Sequence, residues 1–129
     1  MDDNDQYERG LKLRIEMFGR EAVEKRMSAF GDFGKPLQHI INAYAYGDVW
    51  SRTALPAATK SLVMVAMMAA AGHPNELRVH LNGAVKNGCS PEQIQEVLLL
   101  LTLYCGVPAA NDAHRIAAEV LREHGKLAK

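Results

Sequence analysis

Apolar residues recur every three or four positions along most of the chain, and this spacing predicts α-helices. The clearest case is a segment that begins after Gly72. Pro74 suits the first turn of a helix, and Gly88 suits the residue just beyond its end. Between them, one stripe of the predicted helix is apolar: Leu77, Leu81, Ala84 and Val85.

The same spacing predicts six further helices, at residues 5–18, 21–29, 35–44, 56–71, 90–104 and 109–123. The third of these has its apolar positions at Leu37, Ile40, Ile41 and Tyr44. Ser90 and Gln93 form a capping-box pattern around Pro91, which marks a helix start. Residues 47–55 are too mixed for a regular element and are predicted to form an ordered loop. No segment has a strand pattern, so we predict one all-α domain over residues 1–129.

One predicted helix is apolar on every side. Its interior, residues 62–71, is therefore predicted to be buried all round. Ten residues are about half of the roughly 20 that cross a bilayer, so this is not a predicted membrane anchor. Together with residues 98–101, the apolar side chains Val63, Met64, Met67 and Met68 exceed what one small domain covers. We therefore expect a homo-oligomer with helical interfaces.

Composition excludes several classes of protein. The 129 residues carry no net charge when histidine is neutral, which argues against binding to nucleic acid or to an anionic membrane. Cys89 and Cys105 form neither a Cys-x-x-Cys nor a zinc-type spacing, so both are predicted to be inert in a reducing cytoplasm. The N-terminal residues are acidic and polar, so no signal peptide is expected.

Candidate chemistry lies on the helix that begins at Pro74. Glu76 and His80 are four residues apart on one face, with His73 one turn earlier, and a carboxylate beside an imidazole is a plausible acid–base pair. The same pattern also fits two solvated polar residues and one histidine packed in the core. A zinc site is a third interpretation, but the spacing is not His-Glu-x-x-His, so we predict no metal.

A second candidate lies in the predicted loop. Arg52 offers a forked cationic donor suited to a carboxylate, and Trp50 could form the wall of a pocket. A solvated arginine beside a tryptophan that anchors the loop fits equally well. The residues by themselves leave both candidate sites open.

Several segments together resemble one family. They are residues 7–14, 44–52 (Tyr-Ala-Tyr-Gly-Asp-Val-Trp-Ser-Arg), 59–61, 72–80 (Gly-His-Pro-Asn-Glu-Leu-Arg-Val-His), 86–88 and 104–111 (Tyr-Cys-Gly-Val-Pro-Ala-Ala-Asn). In order and over nearly the whole chain, they are similar to the gamma-carboxymuconolactone decarboxylases. The resemblance implies the all-α fold shared with the alkylhydroperoxidase D proteins, assembly as trimers or hexamers, and no cofactor.

The wider superfamily has a redox branch with a Cys-x-x-Cys-x-x-x-His motif and an upstream glutamate. When its histidine is aligned with His80, the two cysteine positions fall on His73 and Glu76, and the glutamate position falls on Ser61. The chain lacks these thiols, so thiol peroxidase chemistry is excluded.

The resemblance implies that the chain decarboxylates 4-carboxymuconolactone to the 3-oxoadipate enol-lactone in protocatechuate catabolism. In this interpretation Arg52 grips a carboxylate, Trp50 keeps the pocket dry, and His73 also lies in the substrate site. His80 donates a hydrogen bond or a proton, while Glu76 orients His80 or delivers the proton itself. The alternatives are a related decarboxylase of another small carboxylated lactone or oxo acid, and a non-catalytic oligomeric relative.

Three positions depart from the family pattern, and each could change specificity. Thr53 and Ala54 stand where these decarboxylases usually have Pro-Gly, and Asn82 stands where they commonly have arginine.

Overall fold

The structure, a computed structural model, describes residues 2–128, which form seven α-helices and no β-strand. The helices are α1 (Asp3–Phe18), α2 (Arg20–Ser28), α3 (Lys35–Ile40), α4 (Ala57–Ala71), α5 (Pro74–Lys86), α6 (Pro91–Cys105) and α7 (Val107–Glu123). A 3-10 helix, Gly31–Gly34, precedes α3, and a π-helix, Ile41–Trp50, continues it. The predicted all-α class is confirmed.

The chain divides into two compact units at the junction of Leu55 and Pro56. The N-terminal unit contains α1 to α3 and the π-helix, and the C-terminal unit contains α4 to α7. Each unit is described by itself below. The single domain predicted over residues 1–129 stays a prediction.

Four helices enclose the core of the C-terminal unit. The apolar stripe predicted on α5 faces this core, because Leu77, Leu81 and Ala84 are buried and Val85 packs against them from a partly buried position. The other buried members are Val65, Ala69, Cys89, Ile94, Leu98, Leu101, Ala113, Ile116, Ala117, Val120 and Leu121. The core thus holds α5 by one face.

The predicted ends of α5 and α6 are confirmed. Pro74 is in the first turn of α5, and Gly88 just beyond the helix end has a φ of 92°, which only glycine adopts cheaply. At the start of α6, the backbone N–H of Gln93 donates to Ser90 Oγ over 3.1 Å, and the Ser90 N–H donates to Gln93 Oε1 over 2.9 Å. These two bonds complete the capping box.

Replacing Ser90 with alanine is expected to lower the free energy of unfolding by about 1 kcal/mol, because one backbone N–H of α6 loses its acceptor. Urea denaturation of the purified variant measures this loss. Ser28→Ala is the control, since the Ser28 hydroxyl bonds only the carbonyl of Lys25 at an exposed helix end. Equal midpoints for the two variants would contradict the capping role.

The interior of the N-terminal unit is partly polar. Arg14 on α1 is buried and donates to Gln38 Oε1 over 2.8 Å and to Asn42 Oδ1 over 3.0 Å. Phe18 packs its ring against the edge of Tyr46, with 5.9 Å between ring centroids. Hydrogen bonds from the charged Arg14 to two amide side chains therefore join α1 to α3 and to the π-helix.

Two predictions for the segment formed by α3 and the π-helix are wrong. Residues 47–50 are helical rather than a loop, so only residues 51–56 connect to α4. The predicted apolar positions Leu37, Ile40 and Tyr44 are exposed, whereas Gln38 and Asn42 are buried. These two polar side chains face inwards because they accept hydrogen bonds from the buried Arg14. In addition, the i→i+5 bonding of a π-helix changes the angular spacing on which the predicted face depended.

The prediction that α4 is buried all round is also wrong for this chain. Val65 and Ala69 are buried, but Val63 and Met67 are exposed, because one face of α4 packs on the core. The leucines of α6 divide in the same way: Leu98 and Leu101 point inwards, and Leu99 and Leu100 outwards. Over residues 2–128, no helix combines the length and the apolar character needed to cross a membrane.

Candidate active site

Helix α5 carries three of the five predicted site residues. His73 is the N-cap residue, and its carbonyl accepts from the N–H of Leu77 over 2.8 Å. Glu76 is in the first turn and is exposed. His80 is one turn further along and only 6% exposed. The helix thus presents one buried imidazole and one solvent-accessible carboxylate four residues apart.

A cavity of about 480 Å³ opens beside His73 within the C-terminal unit. Its walls are mostly apolar, and its polar members are His73, Asp112 and Arg115. A cavity of this volume accommodates a small organic molecule. Neither Glu76 nor His80 lines it, so His73 is the predicted site residue that this cavity contains.

Trp50 ends the π-helix and is held by an aromatic stack. Its ring lies 5.8 Å from that of Tyr46 with an interplanar angle of 20°, which is a stacked geometry. The Tyr46 ring also contacts a cation, because the guanidinium of Arg14 lies 5.7 Å from the ring centroid. Trp50 thus has a stacking partner within its own unit.

Arg52 lies two residues beyond the π-helix, and Asp48 orients it. Asp48 Oδ1 accepts from Arg52 Nε over 3.1 Å and lies 3.0 Å from Nη2. The Arg52 side chain is 70% exposed, so this pair adds little stability. In this structure the pair gives the guanidinium a defined direction, with two of its nitrogens turned toward one carboxylate oxygen.

The structure therefore groups the predicted residues in two sets. Trp50 and Arg52 lie together at the end of the N-terminal unit, and His73, Glu76 and His80 lie along the start of α5 in the C-terminal unit. The assignment of all five to one substrate stays a prediction.

The departure from the family pattern at Asn82 has a structural explanation. Its amide lies 2.7 Å from His124 Nε2 and donates to the carbonyl of Arg78 over 3.0 Å. Arg78 in turn bonds Glu119 and lies 3.7 Å from Glu123. The Asn82 side chain thus serves the packing of α5 against the end of α7.

The contact between Arg78 and Glu119 also has an electrostatic consequence. The hydrogen bond from Arg78 lowers the pKa of the Glu119 carboxyl. Glu119 therefore stays negatively charged at a lower pH than an ordinary glutamate does. It lies on α7, and its partner Arg78 belongs to the face of α5 that carries Asn82.

The position that carries a glutamate in the redox branch has a different role in this chain. Ser61 is buried, and its Oγ accepts from Asn87 Nδ2 over 2.9 Å.

Cys89 is buried with its thiol 3.3 Å from the carbonyl of Ala58, and burial raises its pKa, which disfavours the reactive thiolate. Cys89 and Cys105 are both free thiols. Among residues 2–128, no three His, Cys, Asp or Glu side chains cluster as metal ligands.

Sequence reasoning missed the residues that support Trp50 and Arg52. Asp48 and Tyr46 hold these two side chains directly, and Arg9 donates to the carbonyl of Gly47 from a distance of 38 residues along the chain. Asp48 could have been found from its i,i+4 spacing to Arg52. The contact of Arg9 had no local signal.

Comparison with known proteins gives consistent results. The family model described as "Carboxymuconolactone decarboxylase family" matches residues 35–119. A 4-carboxymuconolactone decarboxylase from Acinetobacter baylyi is 38% identical over 125 residues, which are 97% of this chain and 93% of that protein. A nitrosuccinic acid decarboxylase from Metarhizium robertsii is 29% identical over 117 residues, 91% of this chain and 82% of that protein.

Proposed function

The chain belongs to the carboxymuconolactone decarboxylase family, and from this premise we propose that it is a carboxy-lyase acting on 4-carboxymuconolactone. The observation that carries the proposal is the 38% identity to a 4-carboxymuconolactone decarboxylase over 97% of the chain. The product would be the 3-oxoadipate enol-lactone, formed with release of CO2. This reaction has a place in the catabolism of aromatic compounds through protocatechuate.

The substrate itself explains why the reaction needs no cofactor. The departing carboxylate is gamma to an unsaturated lactone carbonyl, so the electron pair of the broken C–C bond delocalises into a dienolate. The protein has three tasks: to bind a dianion, to stabilise negative charge on the lactone oxygen, and to deliver one proton to carbon. Fixed donors in a site from which water is excluded perform the first two well.

We assign a role to each of the five site residues. Arg52 binds the carboxylate that the product retains, because a cation on the departing carboxylate would stabilise a charge that the transition state loses. Trp50 forms an apolar wall, and His73 contributes to the substrate site. His80 donates a hydrogen bond or the proton, and Glu76 orients His80 or delivers the proton itself.

The test is incubation of the purified protein with 4-carboxymuconolactone in the presence of a chelator, with CO2 release and loss of the lactone followed together. Turnover without added metal or cofactor supports the proposal. Absence of turnover, from protein whose circular dichroism shows the expected helical content, favours a non-catalytic family member instead.

Replacing Arg52 with methionine is expected to raise KM by at least about tenfold with a smaller change in kcat, since binding of a retained carboxylate is the same in ground and transition states. Steady-state kinetics on the lactone measure both constants. Arg20→Met is the matched control, because Arg20 is exposed and its pair with Glu24 is 3.8 Å long. An unchanged KM in Arg52→Met would remove Arg52 from the substrate site.

A second candidate substrate class follows from the more distant relative, which is named as a nitrosuccinic acid decarboxylase. Nitrosuccinic acid, like 4-carboxymuconolactone, has two carboxyl groups and an electron-withdrawing group that can accept the electron pair left by CO2. The same division of roles between a cation and a proton donor fits both acids. Assaying the two substrates in parallel distinguishes the candidates by kcat/KM.

We also propose a homo-oligomer on the basis of exposed apolar side chains, and its assembly as a trimer or hexamer on the basis of the family resemblance. In the C-terminal unit, the outward faces of α4 and α6 expose Val63, Met67, Leu99, Leu100, Leu103 and Tyr104. In the N-terminal unit, Phe33 and Leu37 are exposed beside Ile40. Exposed apolar clusters of this kind usually mark association. Light scattering of the purified protein measures the assembly.

The remaining parts of the proposal concern domain organisation and location. A single domain is supported by the family model, whose match runs across the junction at Leu55 and Pro56. A cytoplasmic location is supported by the two free thiols, since such cysteines are usual in reducing compartments.

A further inference from the structure

The segment that carries Trp50 and Arg52 is held by one face of α1. Gln6 Nε2 donates to the carbonyl of Ala43 over 2.8 Å, and Arg9 donates to the carbonyl of Gly47. These residues are spaced as neighbours on a helix face, and their acceptors are backbone groups of the π-helix. The opening motif of the chain therefore contacts the element that precedes the predicted carboxylate-binding arginine.

Arg9 makes the contact in which the donor is charged. Its Nε and Nη2 donate to the Gly47 carbonyl over 3.1 and 2.5 Å, and Ser51 Oγ donates to the same oxygen over 2.8 Å. A charged donor makes a stronger hydrogen bond than a neutral one. Asp48, the residue after Gly47, is the one that orients Arg52. Arg9 thus holds the peptide next to Asp48, the residue that pairs with the Arg52 guanidinium.

The close approach of the two backbones makes this bond possible. A β-carbon on Gly47 would lie 2.2 Å from the carbonyl oxygen of Gln6, well inside a van der Waals contact. Glycine at this position therefore lets α1 reach the π-helix. The Tyr-Glu-Arg-Gly motif at residues 7–10 and the Tyr-Gly-Asp motif at residues 46–48 form one structural device.

We propose that Arg9 is a positioning residue of the decarboxylase site, which holds the turn of residues 47–51 so that Arg52 and Trp50 meet the substrate in a fixed geometry. Arg9 does not itself contact the substrate. The inference rests on the substrate-binding roles proposed above for Arg52 and Trp50. Misplacement of a binding group by about 1 Å can cost as much as a hundredfold in rate, so the support of such a group has a measurable effect.

Kinetics of Arg9→Met provide the first test. We expect KM for 4-carboxymuconolactone to rise about tenfold while kcat changes much less, because the loss affects the binding of the retained carboxylate. Arg9→Lys keeps one N–H donor for the Gly47 carbonyl, so its KM should fall between those of the wild type and Arg9→Met. Lys12→Met, which removes a cation from an exposed position of the same helix, should leave both constants unchanged.

A double-mutant cycle separates positioning from general stability. If Arg9 acts through Arg52, adding Arg9→Met to the Arg52→Met variant should raise KM by a much smaller factor than it does in the wild type, and the remainder is the effect on Trp50. If the two single effects multiply in the double variant, Arg9 does not act through Arg52 and the proposal is overturned.

A spectroscopic test keeps the inference separate from the proposed reaction. Trp50 is the single tryptophan of the chain, so its fluorescence reports the supported segment directly. In Arg9→Met with an unchanged circular dichroism spectrum, we expect a red-shifted emission and stronger quenching by acrylamide. Emission and quenching equal to those of the wild type would overturn the proposal. This readout holds even if the protein does not turn over the lactone.

Discussion

Replacing His80 with alanine is expected to lower kcat for the decarboxylation by at least about a hundredfold. The reaction needs a donor for the lactone oxygen or for carbon, and His80 is the buried imidazole of α5. Charges and dipoles interact more strongly where water is excluded, so a buried imidazole stabilises developing negative charge more than an exposed one does. Steady-state turnover of the lactone at saturating substrate measures the effect.

Because His80 is buried, the alanine variant leaves a cavity and needs a control for folding. His80→Gln has similar volume and keeps a hydrogen-bond donor but cannot deliver a proton near neutral pH. His114→Ala is the matched control, since His114 is a partly buried helix histidine whose Nδ1 lies 2.7 Å from the carbonyl of Ala110. Near-normal turnover in both His80 variants would remove this residue from the mechanism.

Comparison of the two His80 variants also distinguishes its two proposed roles. If His80 only donates a hydrogen bond, His80→Gln should retain much of the activity that His80→Ala loses. If His80 delivers the proton, both variants should lose activity to the same extent. The second outcome leaves Glu76 as the residue that orients the imidazole, and the first makes Glu76 the candidate proton donor. Its exposed position in the first turn of α5 gives it access to protons from solvent.

The C-terminal unit was largely predictable because its signals are local. Helix ends here are determined by Pro74, Gly88 and the Ser90 capping box. Each acts on residues no more than four positions away, so the residue types alone indicate the helix end. The apolar stripe of α5 follows the regular helical period, so its buried face was also correct. The wrong prediction for α4 concerns exposure, which depends on how many sides of a helix its neighbours cover.

The N-terminal unit was harder to predict because its contacts are distant in sequence. The π-helix at residues 41–50 has its carbonyls bonded by Gln6 and Arg9, which lie 37 and 38 residues away. The buried face of this helix is set by Arg14, and a charged residue is seldom buried unless it is paired. Local pattern therefore indicated a loop and the wrong face.

The candidate site reflects the same division. Residue types and spacing identified Glu76, His80 and Arg52 as able to do acid–base and carboxylate chemistry, but the roles came from resemblance to a family. The support of Arg52 by Asp48, and of Gly47 by Arg9, required coordinates. The sequence thus offered candidate substrate groups by residue type, which stay a prediction, whereas the groups that hold them were found only in the structure.

Replacing Gly10 with alanine is expected to lower the free energy of unfolding by about 3 kcal/mol or more. A β-carbon there would lie 1.6 Å from the carbonyl oxygen of Asn42 and 2.6 Å from the backbone nitrogen of Gly47. Both neighbours are backbone atoms, so no side-chain rotation relieves the overlap. α1 must move away from the π-helix, which breaks the bonds that Gln6 and Arg9 make to it.

The sign of this effect is informative, because alanine within a helix is otherwise about 1 kcal/mol more favourable than glycine. Urea denaturation followed by the fluorescence of Trp50 reports the N-terminal unit, in which both residues lie. Gly31→Ala, in the same unit, is the matched control. Gly31 has a φ of 57° and open space around it, so its substitution costs only the backbone strain of about 1–2 kcal/mol. A Gly10→Ala variant as stable as the wild type would show that α1 does not pack on the π-helix at this distance, and the support assigned to Arg9 would fail with it.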